Sequence, residues 1–264
     1  MVKKKTVRVL VFSGYGLNCE EEAAYGFTLA GAESHIVHIN DVIARTSMLR
    51  EFDILCFPGG FAYGDDTGSG KAYGNRVKNH LGKELEKFIA SKKLVIGICN
   101  GFQILTQLGI LPGALTFNDN NRYTDRWVDM KVENDSPWLI GITHLPSPIA
   151  HGEGKYYADT KTLAVLKSRG AVALRYTKGE MSSYQGLPSN PNGALDNIAG
   201  VTAHDGRVLG LMPHPDRALF FTQLPNWHLK REIARRSGVK TSSSGPGLAI
   251  FKNGVQYASE HRTS

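Results

Sequence analysis

The side chains best suited to covalent chemistry converge on Cys99. Residues 94–105 read Leu-Val-Ile-Gly-Ile-Cys-Asn-Gly-Phe-Gln-Ile-Leu. The apolar run entering Cys99 predicts a buried strand, and Phe102, Leu105 and Leu108 recur at helical spacing beyond it. Gly97 and Gly101 bracket the cysteine two residues to either side. That spacing suits a sharp strand-to-helix turn, in which backbones approach closely and dihedrals are strained. A side chain on such a turn stands over the first, unpaired N–H groups of a helix, where the positive end of the dipole favours an anion. For a thiol, that anion is the nucleophilic thiolate. A free cysteine at the end of an apolar run is otherwise a small packing residue, so a reactive role requires a base elsewhere in the chain.

His214 is the candidate base. It follows a strand-like apolar run over 208–212 and is flanked by Pro213 and Pro215, which hold it in a rigid, non-helical link. Asp216 lies two residues on, and in extended backbone such residues point to the same side. A carboxylate there accepts the proton of one imidazole nitrogen and leaves the other to deprotonate a thiol. The result is a nucleophile–base–orienter set in the order Cys99, His214, Asp216. Alone, the segment also reads as an ordinary loop histidine followed by an N-cap aspartate. A third element, Phe-Pro-Gly-Gly-Phe at 57–61, closes a short apolar strand. An N–H of Gly59 or Gly60, paired with that of Asn100, could form an oxyanion hole. By itself Pro-Gly-Gly is only a turn signal.

These segments need a scaffold that brings them together. Apolar runs predict strands over 7–12, 34–39, 54–57 and 171–176, and helical patterns fall at 20–29, 43–50, 77–91 and 160–168. The 77–91 helix carries Leu81, Leu85, Phe88 and Ile89 on one face. Residues 59–74 read as a long glycine-rich loop beside the site, and 61–74 within it as a candidate docking or gating element. Residues 117–154 read as strands and loops. The β–α alternation predicts one α/β domain, a doubly wound and largely parallel central sheet flanked by helices, over 1–236. Ligands bind such sheets beyond the carboxyl ends of the strands, where Cys99, Gly59-Gly60 and His214 fall. The stretch Thr-Ser-Ser-Ser-Gly-Pro-Gly at 241–247 is linker-like. Residues 237–264 therefore read as a C-terminal extension of unassigned role, its apolar 248–251 adding a strand or packing on the surface.

Composition bounds the partners. With 264 residues, 41% of them hydrophobic, the chain can bury a sizeable core. No apolar run approaches the ~20 residues that span a membrane, and Met1-Val2-Lys3-Lys4-Lys5 leads into a strand with no secretory signal. The three cysteines are unclustered, so a reducing cytoplasm is expected, with Cys19 and Cys56 as packing residues and no metal site. The net charge is +7, with Lys3, Lys4 and Lys5 at one end and Lys230, Arg231, Arg235, Arg236 and Lys240 near the other. No basic stripe with interleaved aromatics accompanies them, so nucleic acid is not an expected partner. A solvated basic surface that docks an acidic partner fits better.

Five segments carry a resemblance: Pro-Gly-Gly-Phe-Ala-Tyr-Gly-Asp at 58–65, Gly-Ile-Cys-Asn-Gly-Phe-Gln at 97–103, Ile-Ala-His-Gly-Glu-Gly at 149–154, Asn-Pro-Asn-Gly at 190–193 with Asn-Ile-Ala-Gly at 197–200, and Met-Pro-His-Pro-Asp-Arg-Ala at 212–218. Together they resemble the class I, triad-type glutamine amidotransferases, and most closely the glutaminase subunits of phosphoribosylformylglycinamidine synthase. The resemblance implies that Cys99 attacks the side-chain amide of L-glutamine, that His214 moves the proton and that Asp216 fixes its tautomer. It further implies that Asn100 and the Gly59-Gly60 loop hold the oxyanion. Gln103, His151 and Gly152 would bind the substrate, the last two largely through backbone. This chain would use no cofactor of its own. The ammonia would pass to a synthetase subunit that uses ATP and Mg to convert formylglycinamide ribonucleotide to formylglycinamidine ribonucleotide in purine biosynthesis, with a small accessory subunit as a further partner. One departure stands out: the family pattern has Glu two residues after the histidine, and this chain has Asp216, one methylene shorter.

Gly68-Ser69-Gly70-Lys71 imitates part of a phosphate loop, but that pattern needs Gly at 65 and Ser or Thr at 72, where this chain has Asp65 and Ala72. Two other readings remain at this level. One is a glutaminase subunit serving another acceptor. The other is an α/β protein that uses an accessible thiol to sense oxidation or bind partners, which leaves His214-Pro215-Asp216 without a purpose.

Overall fold

The computed structural model describes residues 6–65 and 68–261. Lys3, Lys4 and Lys5, and residues 66 and 67 of the glycine-rich loop, lie outside them. In chain order the first elements are β1 (Arg8–Ser13), α1 (Glu20–Leu29), β2 (Glu33–His38), α2 (Ile39–Ala44), β3 (Ile54–Phe57), α3 (Lys71–Ala90), β4 (Leu94–Ile98) and α4 (Asn100–Gln107). The second series is β5 (Ala114–Thr116), β6 (Thr124–Val132), β7 (His144–His151), β8 (Lys155–Tyr157), α5 (Thr160–Ser168), β9 (Val172–Thr177), α6 (Glu180–Gln185), β10 (Ile198–Ala203), β11 (Val208–Leu211), α7 (Trp227–Arg236) and α8 (Leu248–Glu260). Among the described residues no helix is long and apolar enough to cross a membrane.

Nine strands form one sheet in the order β2-β1-β3-β4-β11-β10-β9-β6-β7. The first five are mutually parallel. The remaining four join by antiparallel steps. Because direction reverses at each step, β9 and β7 return to the sense of the parallel five, and seven of the nine strands run one way. The predicted α/β domain with its doubly wound, largely parallel sheet is thus the observed fold. The central strands β3, β4 and β11 are buried along their whole length, as parallel strands covered on both faces must be. β7 alternates buried and more exposed positions instead, the pattern of a sheet with one face on the core.

Most predicted elements lie within a residue or two of their observed bounds, and the differences have local causes. The helix predicted over 43–50 divides at Arg45, whose φ of −137° and ψ of 71° are not helical, into α2 and a 3-10 turn, Thr46–Glu51. α3 starts at Lys71 rather than 77. Gly70, left-handed at φ 73°, precedes it, and a Cβ there would sit 2.8 Å from the Ile104 nitrogen. Glycine therefore lets α3 abut α4 directly. The turn before α3 is a helix junction that packs on α4 through Gly70.

Residues 237–261, which the sequence reads as part of a C-terminal extension, pack against the domain. Residues 248–251 open α8, which buries Leu248, Ile250, Phe251, Val255 and Ala258. Phe251 meets Phe27 of α1 edge to face at 4.9 Å between centroids. A Cβ at Gly26 would touch the Phe251 ring at 3.0 Å. Asn253 donates to the carbonyls of Trp138 and Ile140. Apolar residues spaced at helical intervals after a Pro-Gly thus close the outer face of α1. Phe251→Ala is expected to cost ~3–5 kcal/mol of unfolding free energy, seen as a lower urea midpoint. A midpoint equal to wild type would return this segment to the status of a dispensable tail.

Candidate active site

Cys99 sits between β4 and α4 with φ 50° and ψ −106°, a conformation that costs a residue with a Cβ ~1–3 kcal/mol. Two glycines allow it. A Cβ at Gly97 would lie 2.6 Å from the Gly101 carbonyl oxygen, and one at Gly101 would overlap the Phe57 carbonyl oxygen of β3. The Gly-x-Cys-x-Gly spacing is therefore the packing code of this turn: the start of α4 rests on β3 and β4 with no side chain between. The Cys99 N–H donates to Leu211 O of β11 at 2.8 Å, tying the turn to the strand that leads to His214.

β7 joins the two halves of the site. It lies at the far end of the sheet order, yet the His214 N–H donates to Pro148 O at 2.8 Å and the Cys99 thiol donates to Ala150 O at 3.7 Å. The sheet curls until its last strand reaches both central residues. Cys99, His214 and Asp216 are 4%, 2% and 1% exposed, so the three stand in a largely dry environment.

His214 Nδ1 lies 3.3 Å from Asp216 Oδ1 and 3.5 Å from Oδ2. The two residues are not in extended backbone as expected: Pro215–Arg217 is a 3-10 turn, which brings the carboxylate beside the ring. The contact is longer than the ~2.7–2.9 Å of a strong charge-assisted bond, consistent with a carboxylate shorter by a methylene than glutamate. Burial alone would push the His214 pKa down, but the Asp216 carboxylate and Cys99 outweigh it and hold the pKa well above the ordinary histidine value. A histidine raised in this way stabilises the fold fully below its unfolded pKa and loses that contribution as pH rises through the raised value.

A second thiol flanks the imidazole. The sulfur of Cys19, at the N-terminus of α1, is close to His214 and accepts from Arg217 Nη2 at 3.0 Å. Arg217 also pairs with Glu22 at 3.3 Å. Cys19 is thus more than the packing residue expected from sequence, and no local signal in its segment announced the contact. Burial pushes its thiol pKa up, partly offset by His214, which leaves it protonated and a poor competitor for the nucleophile's role. Cys56, wholly buried in β3, is raised further, again by burial. Among the described residues, Cys19, His214 and Asp216 form a cluster whose donor atoms lie within 4.8 Å of one another. The Arg217 guanidinium on the sulfur opposes a cation there.

The glycine loop is fixed by α1. Gly59 O accepts from the N–H groups of Asn18 and Cys19 at 3.2 Å each. Since C=O and N–H point oppositely across a trans peptide, the Gly60 N–H is turned away from α1. Among the described residues neither it nor the Asn100 N–H is taken up by a backbone carbonyl. The Asn100 side chain accepts from the Ala62 N–H at 3.1 Å and donates to Gln103 Oε1 at 2.7 Å. Gln103 Nε2 in turn donates to Glu153 O at 2.7 Å. Gln103 and the His151–Gly152 segment, some fifty residues apart in sequence, are thereby brought together near Cys99.

The CobB/CobQ-like glutamine amidotransferase domain matches residues 6–258 of this chain. The chain is 48% identical over 270 positions to the phosphoribosylformylglycinamidine synthase subunit PurQ of Methanococcus maripaludis, covering 96% of this chain and 98% of that one. It is 40% identical over 262 positions to the PurQ subunit of Dehalococcoides mccartyi, with the same coverage. Among solved structures it is similar to a chain of PurLQS from Thermotoga maritima, with a TM-score of 0.71, 29% identity, and coverage of 96% of this chain and 99% of that chain. The chain belongs to the glutamine amidotransferases, in the group that contains the PurQ subunits of phosphoribosylformylglycinamidine synthase.

The charge balance at His214 can be tested directly. In Asp216→Asn, burial prevails once the carboxylate charge is gone, so the NMR titration midpoint of the His214 ring is expected at lower pH than in the wild type. A midpoint unchanged or raised would contradict the origin given for its shift.

Proposed function

We propose that this chain is the glutaminase subunit of a phosphoribosylformylglycinamidine synthase, with Cys99, His214 and Asp216 as its catalytic set. The observation that carries this reading is the convergence of Cys99 and His214, brought from β4 and from the end of β11 onto one strand, β7. The Cys99 sulfur attacks the side-chain amide carbon of L-glutamine. The N–H groups of Asn100 and of the Gly59-Gly60 loop take the charge that develops on the oxygen, a contribution that grows in a dry site. His214, held by Asp216, delivers a proton to the leaving nitrogen as the C–N bond breaks, and ammonia departs. A water then gives its proton to His214 and adds to the thioester. The C–S bond breaks, glutamate leaves and the sulfur regains its proton.

Gln103, His151 and Gly152 would hold the amino-acid end of glutamine. The ammonia is consumed on a synthetase subunit that uses ATP and Mg to amidate formylglycinamide ribonucleotide, with a small accessory subunit completing the complex. Ala62, at the start of the glycine-rich stretch that leads to α3, donates to Asn100, and this contact would report that partner's arrival. Three unpaired cysteines suit a cytoplasmic setting.

Cys99→Ser, assayed in the complex with its synthetase, should lose glutamine-dependent amidation by at least the ~10²–10⁴-fold typical of a removed nucleophile or base. Amidation from free ammonia should persist at the wild-type rate. Loss of both together would mean that the chain does more than supply ammonia.

A further inference from the structure

The segment His151–Gly154 is held by Gln103 and by two side chains, Asn118 and Asn192, that none of the chemistry above employs. Asn118, 1% exposed, grips it from both sides. Its Nδ2 donates to His151 O at 2.9 Å and to Arg122 O at 2.9 Å. Its Oδ1 accepts from the Gly154 N–H at 3.1 Å and faces His151 Nδ1 at 3.1 Å. Its own N–H donates to Gly152 O at 2.9 Å. Gln103 takes Glu153 O at 2.7 Å, and Asn192 Nδ2 takes Gly154 O at 2.8 Å. Every carbonyl from 151 to 154 is thus committed to the protein.

The commitment has a geometric consequence. In a trans peptide the N–H points opposite to the C=O. With the carbonyls of His151 and Gly152 drawn onto Asn118, the N–H groups of Gly152 and Glu153 must face the other way. Among the described residues neither donates to a backbone carbonyl or a side chain. Space is open beside Gly152: a Cβ built there would meet nothing within 4 Å, whereas one on Gly154 would run into the His151 ring. Successive free N–H groups facing open space form an anion-binding concavity. Its neighbour Ala150 accepts the Cys99 thiol's hydrogen bond, so it lies beside the reacting sulfur.

Asn118 also fixes the state of His151. Because the Asn118 amide nitrogen is committed to carbonyls, its oxygen faces His151 Nδ1, which must carry the proton. Nε2 is then a bare, buried acceptor without a partner in the protein. Burial and the proximity of His214 push the His151 pKa down to about 3. His151 therefore adds no positive charge near His214 at neutral pH.

We propose that Asn118 is a positioning residue for glutamine recognition: it turns the Gly152 and Glu153 N–H groups toward the substrate's α-carboxylate, with Asn192 as its second anchor. This rests on the glutaminase function proposed above, and it concerns recognition, not the chemical step. The test compares glutamine with 4-aminobutanamide, the same amide without the α-carboxylate, in the intact synthetase complex. Asn118→Ala should lower kcat/KM for glutamine ~10-fold or more through KM, the size of a lost hydrogen-bonding arrangement at a charged group. It should leave kcat/KM for 4-aminobutanamide and ammonia-dependent amidation unchanged. Asn118→Asp, which keeps the acceptor and loses the donor, and Asn192→Ala should show the same selective loss, and they carry the comparison if the alanine variant does not fold. Equal loss on both amides, or no loss on either, would overturn the proposal alone. Absence of glutaminase activity in the wild-type complex would overturn it together with the function on which it rests.

Discussion

The site depends on one strained residue. Cys99 adopts a left-handed φ that a side chain tolerates poorly, and it does so because two backbone contacts leave no alternative. Gly97 lies against Gly101, and Gly101 lies against the Phe57 carbonyl. The strand, the turn and the helix are locked at a separation only glycine permits. The sulfur therefore leaves the sheet at its carboxyl end, beside the free N–H groups of α4 and across from the Gly59-Gly60 loop. Strain of this kind persists only where the surroundings over-determine it, and here they include strands buried along their whole length.

The second requirement is that the sheet curl. Parallel strands alone would place Cys99 and His214 on neighbouring strand ends, β4 and β11, with one side open to water. The antiparallel half carries β7 over that side, where Pro148 and Ala150 fix the histidine backbone and the thiol. The same strand ends in His151, so the residues that would bind the substrate continue directly from those that position the reacting groups. Charge then decides what burial leaves open. Asp216 keeps the buried His214 able to hold a proton, while burial keeps the neighbouring Cys19 protonated.

Much of this was legible in the chain because it is local. The β4–α4 turn is written in Gly97, Cys99 and Gly101. The alternation of apolar runs and amphipathic helices announces the parallel half, and α1, β3 and α5 have the bounds their patterns predict. Three things were not legible, each for a physical reason. The Cys19 contact with His214 and Arg217 joins positions almost two hundred residues apart. Asn118 reads as one polar residue in a polar loop, and only the fold brings it against 151–154. The last helix follows a linker-like stretch and is mildly amphipathic, so nothing in its composition says that α1 lacks a cover until α8 supplies it. The His214–Asp216 pair was found for an incomplete reason: spacing suggested extended backbone, and a 3-10 turn makes the contact instead.

Two thiols flank one imidazole, and only one of them is placed as the nucleophile. The most direct measurement is reaction of the native protein with an electrophilic glutamine analogue, followed by peptide mass spectrometry at sub-stoichiometric labelling. The adduct is expected on Cys99, with Cys19 and Cys56 unlabelled. A label that falls first on Cys19 or Cys56 would contradict the account.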